Sequence, residues 1–416
     1  MPDQQGQPKQ QEPNDPVLRR VIRLPMLVFY GVGVTIGAGI FALIGEIVRV
    51  AGDHAPIAFL VAGAIAGATG LSYAVLASVY PRAAGEAVFV KIGLGQNLAR
   101  IVGYGVTLTA IISSAVITLA FGGYLSTLIP LPQSVLSIGV LLLLGAIAWL
   151  GVRESVAFAA VITVIEVGTL LVIGFSSAPL LANVELVTEA LAPPTDSASW
   201  ALVFSASMIA FFAFIGFEDI ENMAEETVNP HRTLPQAIVL TLLITVFLYL
   251  VISIIAVALP DREGLLGSSA PLAFLFESVT GYSGKPVAAM ASIAMINGIL
   301  VQIVMASRVI YGMSREGLAP AGLGRLDAKR LTPARAIGLV VVSIAVLTLG
   351  LPLIQLAQLT SLVTLCVFIL VNLALWRIGL RPDAAPVLRR WRYWGLFGAV
   401  ISAGLLTTEG ARLLLA

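Results

Sequence analysis

Residues 31–41 read GVGVTIGAGIF, with Gly31, Gly33, Gly37 and Gly39 inside an apolar run that is otherwise long enough to cross a membrane. Glycine costs about 1 kcal/mol against alanine in a helix interior, and hydrocarbon offers a freed amide no partner. A membrane helix written this way is expected to break in its middle, and a break at that depth needs something to bind. A small charged solute is the ligand it suits.

Composition places the whole chain in the same setting. It is 58% hydrophobic and 11% charged, with a mean hydropathy of +0.97, whereas a soluble domain carries about 25% charged residues. The reading is an all-α polytopic membrane protein. Apolar runs of the length a membrane requires lie near 22–49, 55–79, 99–128, 133–150, 156–179, 199–222, 235–259, 284–312, 335–351, 353–377 and 393–415, so about eleven transmembrane helices are expected. The net charge of +1 carries no information, because the charges are sorted by side of the membrane, and no nucleic-acid partner is implied. With the N-terminus inside, 20 of the 24 Lys and Arg residues fall on cytoplasmic segments, and Arg49, Arg262, Lys285 and Arg412 fall outside. The positive-inside rule selects that orientation in a plasma (inner) membrane. A bias to arginine over lysine points to a prokaryotic genome.

Residues 1–20 are polar, rich in Gln and Pro, and lack the apolar core of a secretory signal, so they read as a disordered cytoplasmic tail. The single cysteine, Cys366, lies in the tenth span, can form no intramolecular disulfide and reads as a small core residue. Glu46 and Arg49 are spaced to pair on the outer half of the first helix. Glu86, after Pro81, belongs to a cytoplasmic interfacial helix. His54 and His231 fall in loops on opposite sides of the membrane, which rules out a shared metal site.

The order of spans suggests a repeat. The second and seventh spans begin near 55 and 235, an offset of 180, and the glycine break at 38 has a counterpart at Gly216, an offset of 178. Five spans precede the sixth, so two similar halves, 21–180 and 199–378, must lie upside down to each other. The segment 391–416 supplies an additional C-terminal span.

The sixth span reads FFAFIGFEDIENMAEE over 211–226. Phe211, Phe212 and Phe214 crowd the outer side of Gly216. Glu218, Asp219, Glu221, Glu225 and Glu226 follow on the inner side, either favoured by a half-helix N-terminus or serving as a cytoplasmic cap. In the first span, Thr35–Ile40 is the candidate binding stretch. If the helix resumes at about Ile40, the amides of Gly37, Ala38, Gly39 and Ile40 suit a carboxylate. The carbonyls of Phe212, Ala213 and Phe214 suit an ammonium group, and an α-amino acid carries both. Phe212 and Phe214 are placed to cover such a ligand. The alternative for these glycines and aromatics is plain helix packing.

IGAGIF at 36–41, SYAVLASVYPRAAGEAVFVKIGLG at 72–95, FFAFIGFEDIENMAEETVNPHRTLP at 211–235 and SRVIYGMSREGLAP at 307–320 resemble signatures of the amino acid–polyamine–organocation permeases. The resemblance covers residues 20 to about 380. It implies a LeuT-like fold, a five-plus-five inverted repeat with discontinuous first and sixth helices and the substrate between them. By that likeness Phe212 stands where the family often places an aromatic gate, and Gln302 matches a side chain that can line the pocket. Ala38 departs from the serine of some members, and a twelfth helix is missing.

Glu166 lies about ten residues into the fifth span, about 15 Å deep at the helical rise and so near the midplane. A carboxylate there costs about 2.5–3.5 kcal/mol on insertion scales, which marks it as a proton carrier or as a structural carboxyl joining helices. In some relatives a lysine thought to replace a sodium ion stands in a similar place; Glu166 reverses its charge. Asn297 is a weaker candidate in the eighth span.

Two functions follow from these readings. One is a secondary transporter of an amino acid by alternating access, coupled to protons as a symporter or running as an exchanger or facilitator. The other is a cation (potassium) uptake protein on the same scaffold. A membrane enzyme is not indicated, since the chain shows no HExxH, no Cys/His cluster and no Ser/His pair at a common depth, and no cofactor is expected. With Glu218 and Asp219 expected below the site, the first and sixth helices offer no acid to a cationic side chain, so a neutral or apolar amino acid is expected.

Overall fold

The computed structural model describes residues 20–82, 85–151, 156–315, 319–327 and 329–415. The N-terminal tail up to residue 19 and the 316–318 part of the eighth-helix motif lie outside the described residues. The helices in chain order are α1 (Leu24–Ala51), α2 (Ala55–Val79), α3 (Gly85–Leu94), α4 (Gln96–Ser126), α5 (Gln133–Leu150), α6 (Val156–Ser176), α7 (Ala178–Leu181) and α8 (Val184–Ala190). They continue with α9 (Ser197–Phe212), α10 (Pro230–Val257), α11 (Arg262–Gly267), α12 (Pro271–Thr280), α13 (Lys285–Arg315), α14 (Ala334–Gly350), α15 (Leu353–Gly379) and α16 (Pro386–Leu415). Among the described residues the only extended pairing is an isolated bridge between Ile22 and Thr227.

The chain is an integral membrane protein. Seven helical stretches among the described residues are long and apolar enough to cross a bilayer, and the first, Leu24–Val79, holds both α1 and α2. Large apolar side chains stand on the outer faces of the bundle: Phe175 is 76% exposed, Val346 65% and Phe247 63%. A soluble monomer does not present so much contiguous apolar surface to water; lipid covers it here. Each of the eleven apolar segments read from the sequence carries helix, although the sixth does so only in part. The ten-residue apolar helix α12 was not expected, being too short to read as a span.

Helix ends follow local chemistry. Pro25 opens α1 and Pro230 opens α10, where a missing amide proton costs nothing. Asp196 caps α9 by accepting the Ser199 amide at 2.9 Å and its hydroxyl at 2.6 Å. The carboxylate lies below the usual range because it accepts these bonds from Ser199.

α1 occupies the centre, packed against α9, α10, α6 and α13. α2 lies along α10, α4 along α13 and α15, and α16 along α15 and α2. The strand-like residues before α1 are stitched to the chain leading into α10: the Val21 and Ile22 amides donate to Glu226 O at 2.9 and 3.0 Å, and the Val228 amide donates to Ile22 O at 2.8 Å.

Three local readings are corrected. Cys366 is exposed on the outer face of α15, so it is not a core residue; a tenth helix with one face on the bundle leaves its other face to lipid. His231 lies in the first turn of α10, its Nδ1 2.8 Å from Ser78 O, because Pro230 starts that helix one residue earlier. His54 lies in the short 3-10 turn 52–54. Glu46 and Arg49 do pair, at 2.9 Å, and Arg49 also donates to Leu266 O.

Candidate functional site

Inside α1 a single residue has non-helical backbone geometry. Gly37 adopts φ 23, ψ −139, a conformation that only glycine takes without strain, and a β-carbon there would meet nothing within 4 Å. The break is therefore confined to Gly37, and helical geometry resumes at Ala38, not near Ile40. Thr35 just before it is turned inward, its hydroxyl donating to Gly31 O at 2.7 Å.

The sixth segment breaks over a longer stretch. α9 ends at Phe212, the chain turns through 213–216 with Gly216 at φ 123, and a seven-residue 3-10 helix, Phe217–Met223, follows. No α-helical inner half exists here, so the expected half-helix N-terminus for the carboxylates is replaced by a tight turn. Glu218 folds back and accepts the Gly216 amide at 2.8 Å, in effect capping its own turn.

The two breaks touch. A β-carbon on Gly39 would lie 2.5 Å from Ala213 Cα, and one on Gly216 would lie 2.9 Å from Val34 O. Glycine at both positions lets the α1 backbone meet the 213–216 turn directly. From α10, the Tyr249 hydroxyl reaches into this junction, 2.8 Å from Ala213 O and 3.1 Å from Thr35 O.

A cavity opens beside the junction, bounded by α1, α4, α6, the 212–219 turn and α13. Its wall includes Thr35, Gly37, Ala38, Gly39, Phe212, Glu166 and Gln302 from the sequence reading. Ile36 and Ile40 are buried on the other faces of α1, and Ala213 faces Gly39. Phe214 is fully buried against Tyr249, with ring centroids 5.1 Å apart, so it does not cover the cavity; the turn after Phe212 swings it away. Gly216 lines a second cavity, which shares Val34, Ser113, Ile215, Asp219, Gln302 and Met305 with the first.

The acid placement also needs correction. Asp219 lines the central cavity, and Glu218, Asp219 and Glu86 line the second. Asp219 lies in the first turn of the 3-10 segment that follows the left-handed residue Gly216. Glu166 is 3% exposed and stands in the cavity wall from α6. No lysine, arginine or histidine lines this cavity among the described residues. Opposite, Ser113 donates to Gln302 Oε1, and Asn297 lies one side of α13 in the same wall. The apolar part comes from Ile117, Ile162, Ile215, Met295, Val301 and Met305. Among the described residues no group of three or more His, Cys, Asp or Glu is placed to hold a metal ion.

Tyr249, Ser113 and Asp219 are the contributors that the sequence reading missed as site residues. Tyr249 sits in a uniformly apolar helix, where a tyrosine reads like any other packing aromatic.

Two broken helices meeting beside a polar-lined cavity in a helical membrane bundle define the membrane transporter class, not an enzyme. Residues 22–408 match the amino acid permease family, and the chain belongs to it. Among known proteins it is similar to a branched-chain amino acid permease of Bacillus subtilis, 28% identical over 86% of this chain and 80% of that one. A branched-chain amino acid permease of Lactococcus lactis is 26% identical over 84% and 79%. A vacuolar cationic amino acid transporter of Arabidopsis thaliana is 28% identical over 87% of this chain and 64% of its own length. The expectation of an amino acid–polyamine–organocation permease is met by this membership.

Proposed function

We propose that the protein carries a single α-amino acid per cycle across a prokaryotic plasma membrane by alternating access about its two broken elements. The observation that carries this reading is that Gly37 and the 212–219 turn line one cavity from facing sides. A helix restarting after Gly37 leaves the first amides of its new turn without intrahelical partners, a seat for the substrate carboxylate. Carbonyls at the end of α9 suit its ammonium group, and Phe212 stands where it can close over the ligand. The same reading takes eleven spans as a five-plus-five inverted repeat (21–180 and 199–378) with α16 added, a LeuT-like arrangement with the N-terminus cytoplasmic. The positions of Gly37 and Gly216 at matching places in the two halves support it.

Glu166 is assigned the coupling proton, which makes the transport a proton symport. Its burial in the cavity wall, with no basic side chain lining that cavity, supports the assignment.

For the side chain of the substrate, the apolar wall supports a neutral or branched aliphatic residue, and two relatives are named for branched-chain amino acids. Asp219 in the wall favours a second reading, a cationic side chain. Binding of a panel of amino acids to the purified protein, with uptake into proteoliposomes, separates them. Saturable binding of leucine, isoleucine or valine supports the first, and of lysine or arginine the second. Potassium conductance without amino acid binding overturns the whole assignment.

A further inference from the structure

The hairpin between α15 and α16 carries Arg377, Arg381, Arg389, Arg390 and Arg392 within sixteen positions. None of the five forms an ion pair among the described residues. Arg381 and Arg389 spend donors on the carbonyls of Ile92 and Pro382. Arg392 lies over the Tyr393 ring at 4.8 Å, with its buried Nε lacking any partner. Arg389 and Arg390 are exposed, and the one carboxylate of the hairpin, Asp383, does not pair with them.

Directly along the helix from Arg389 and Arg390 runs an exposed apolar stripe of Tyr393, Leu396, Phe397 and Val400, at the spacing of one helix face. Tyr393 and Val400 are each 62% exposed. The opposite face, with Leu388, Ala399, Ser402 and Leu405, is buried. From Arg389 to Val400 the helix rises about 16 Å, close to the thickness of one hydrocarbon leaflet. Trp391 and Trp394 stack edge to face at 6.0 Å at the level of the arginines, and Trp394 Nε1 donates to Ala68 O at 2.9 Å. Indole rings of this kind settle at the headgroup level.

The positive-inside rule accounts for basic residues in a loop. It does not account for two exposed arginines without ion pairs heading a lipid-length apolar stripe. We propose that the α15–α16 hairpin binds an anionic phospholipid, with its phosphate on Arg389 and Arg390 and an acyl chain along Tyr393, Leu396, Phe397 and Val400. The charge complementarity selects an anionic headgroup over a zwitterionic one, and the stripe distinguishes a lipid from a free phosphate ion.

The test uses the full-length protein in vesicles of phosphatidylcholine, into which brominated phosphatidylglycerol or brominated phosphatidylcholine is titrated while tryptophan fluorescence is read. The expected result is tighter quenching by phosphatidylglycerol, with its relative affinity falling about fivefold for each arginine removed in an R389Q/R390Q variant. The charge-retaining R389K/R390K variant keeps the preference, which separates loss of charge from misfolding. Raising the salt concentration weakens the preference in the unaltered protein, a readout that needs no substitution. Equal quenching by both lipids, an unchanged preference in R389Q/R390Q, or displacement by inorganic phosphate alone overturns the proposal.

Discussion

The hydroxyl of Tyr249 stands 2.8 Å from the carbonyl of Ala213 and 3.1 Å from that of Thr35, so one side chain on α10 touches the ends of both broken elements. One hydroxyl has one proton, and the shorter distance assigns it to Ala213 in this state. Tyr249→Phe keeps the ring contacts with Phe59 and Phe214 and removes only that donor. The expected cost is about 1–3 kcal/mol, since a buried carbonyl loses its partner. Thermal unfolding in detergent reads this directly, and uptake should fall with it; an unaltered melting temperature and uptake rate exclude the bridge.

Two glycines four residues or fewer from that junction should respond differently to the same substitution. Gly39→Ala puts a methyl group 2.5 Å from Ala213 Cα, where backbone and not a flexible side-chain tip must yield, so a loss of about 1–3 kcal/mol and of transport is expected. Gly37→Ala meets no atom within 4 Å, and its cost is conformational, about 1–3 kcal/mol for a non-glycine residue at φ 23, ψ −139. Substrate affinity measured on both variants should be lost in the first and only weakened in the second.

Glu166→Gln retains shape and hydrogen-bonding capacity while removing the titratable proton. Uptake driven by an imposed pH gradient should disappear, while binding of the amino acid and exchange of labelled for unlabelled substrate persist. Full-strength proton-driven accumulation in this variant would falsify the coupling assignment.

Phe212→Ala should raise the half-saturation concentration about tenfold by leaving the cavity uncovered, in line with an aromatic side chain's burial. Asp219→Asn separates the two substrate readings. Uptake of an aliphatic amino acid should survive it, and uptake of a cationic one should fall by an order of magnitude or more.

The Asp196 cap gives a pH dependence outside the membrane. Its carboxyl is held below the usual range by the Ser199 hydroxyl and amide, so the stabilisation is present above the ordinary carboxylate pKa and is lost as pH falls through the depressed one. Asp196→Ala should lower the unfolding temperature at neutral pH and make little difference in strong acid. A difference that grows on acidification has the wrong sign for this cap.

Both breaks were legible in the sequence because glycine inside an apolar run is costly and so carries information; the backbone takes positive φ at both Gly37 and Gly216. Glu166 was legible for the same reason, a charge where charge is expensive. What followed the sixth-segment break was not. Successive side chains turn by about 120° in a 3-10 helix and about 100° in an α-helix, so the two diverge by about 20° per residue. Asp219 and Glu218 therefore could not be aimed from a helical wheel, and the inference of an acid-free pocket failed with them. Phe214 was misread because a lid residue and a core residue look alike until the turn between them is drawn. Cys366 and Tyr249 failed in the same manner: which face of an apolar helix meets lipid and which meets protein is decided by neighbours far away in the chain.

The main-chain stitching of residues 21–22 to 226–228 ties the chain just before α1 to the chain just before α10. Separating the two segments gives up all three backbone bonds at once. Any tilt of α1 must therefore carry the start of α10 with it, and a change at this strap reaches the cavity only through the length of α1, about 22 Å from Ile22 to Gly37.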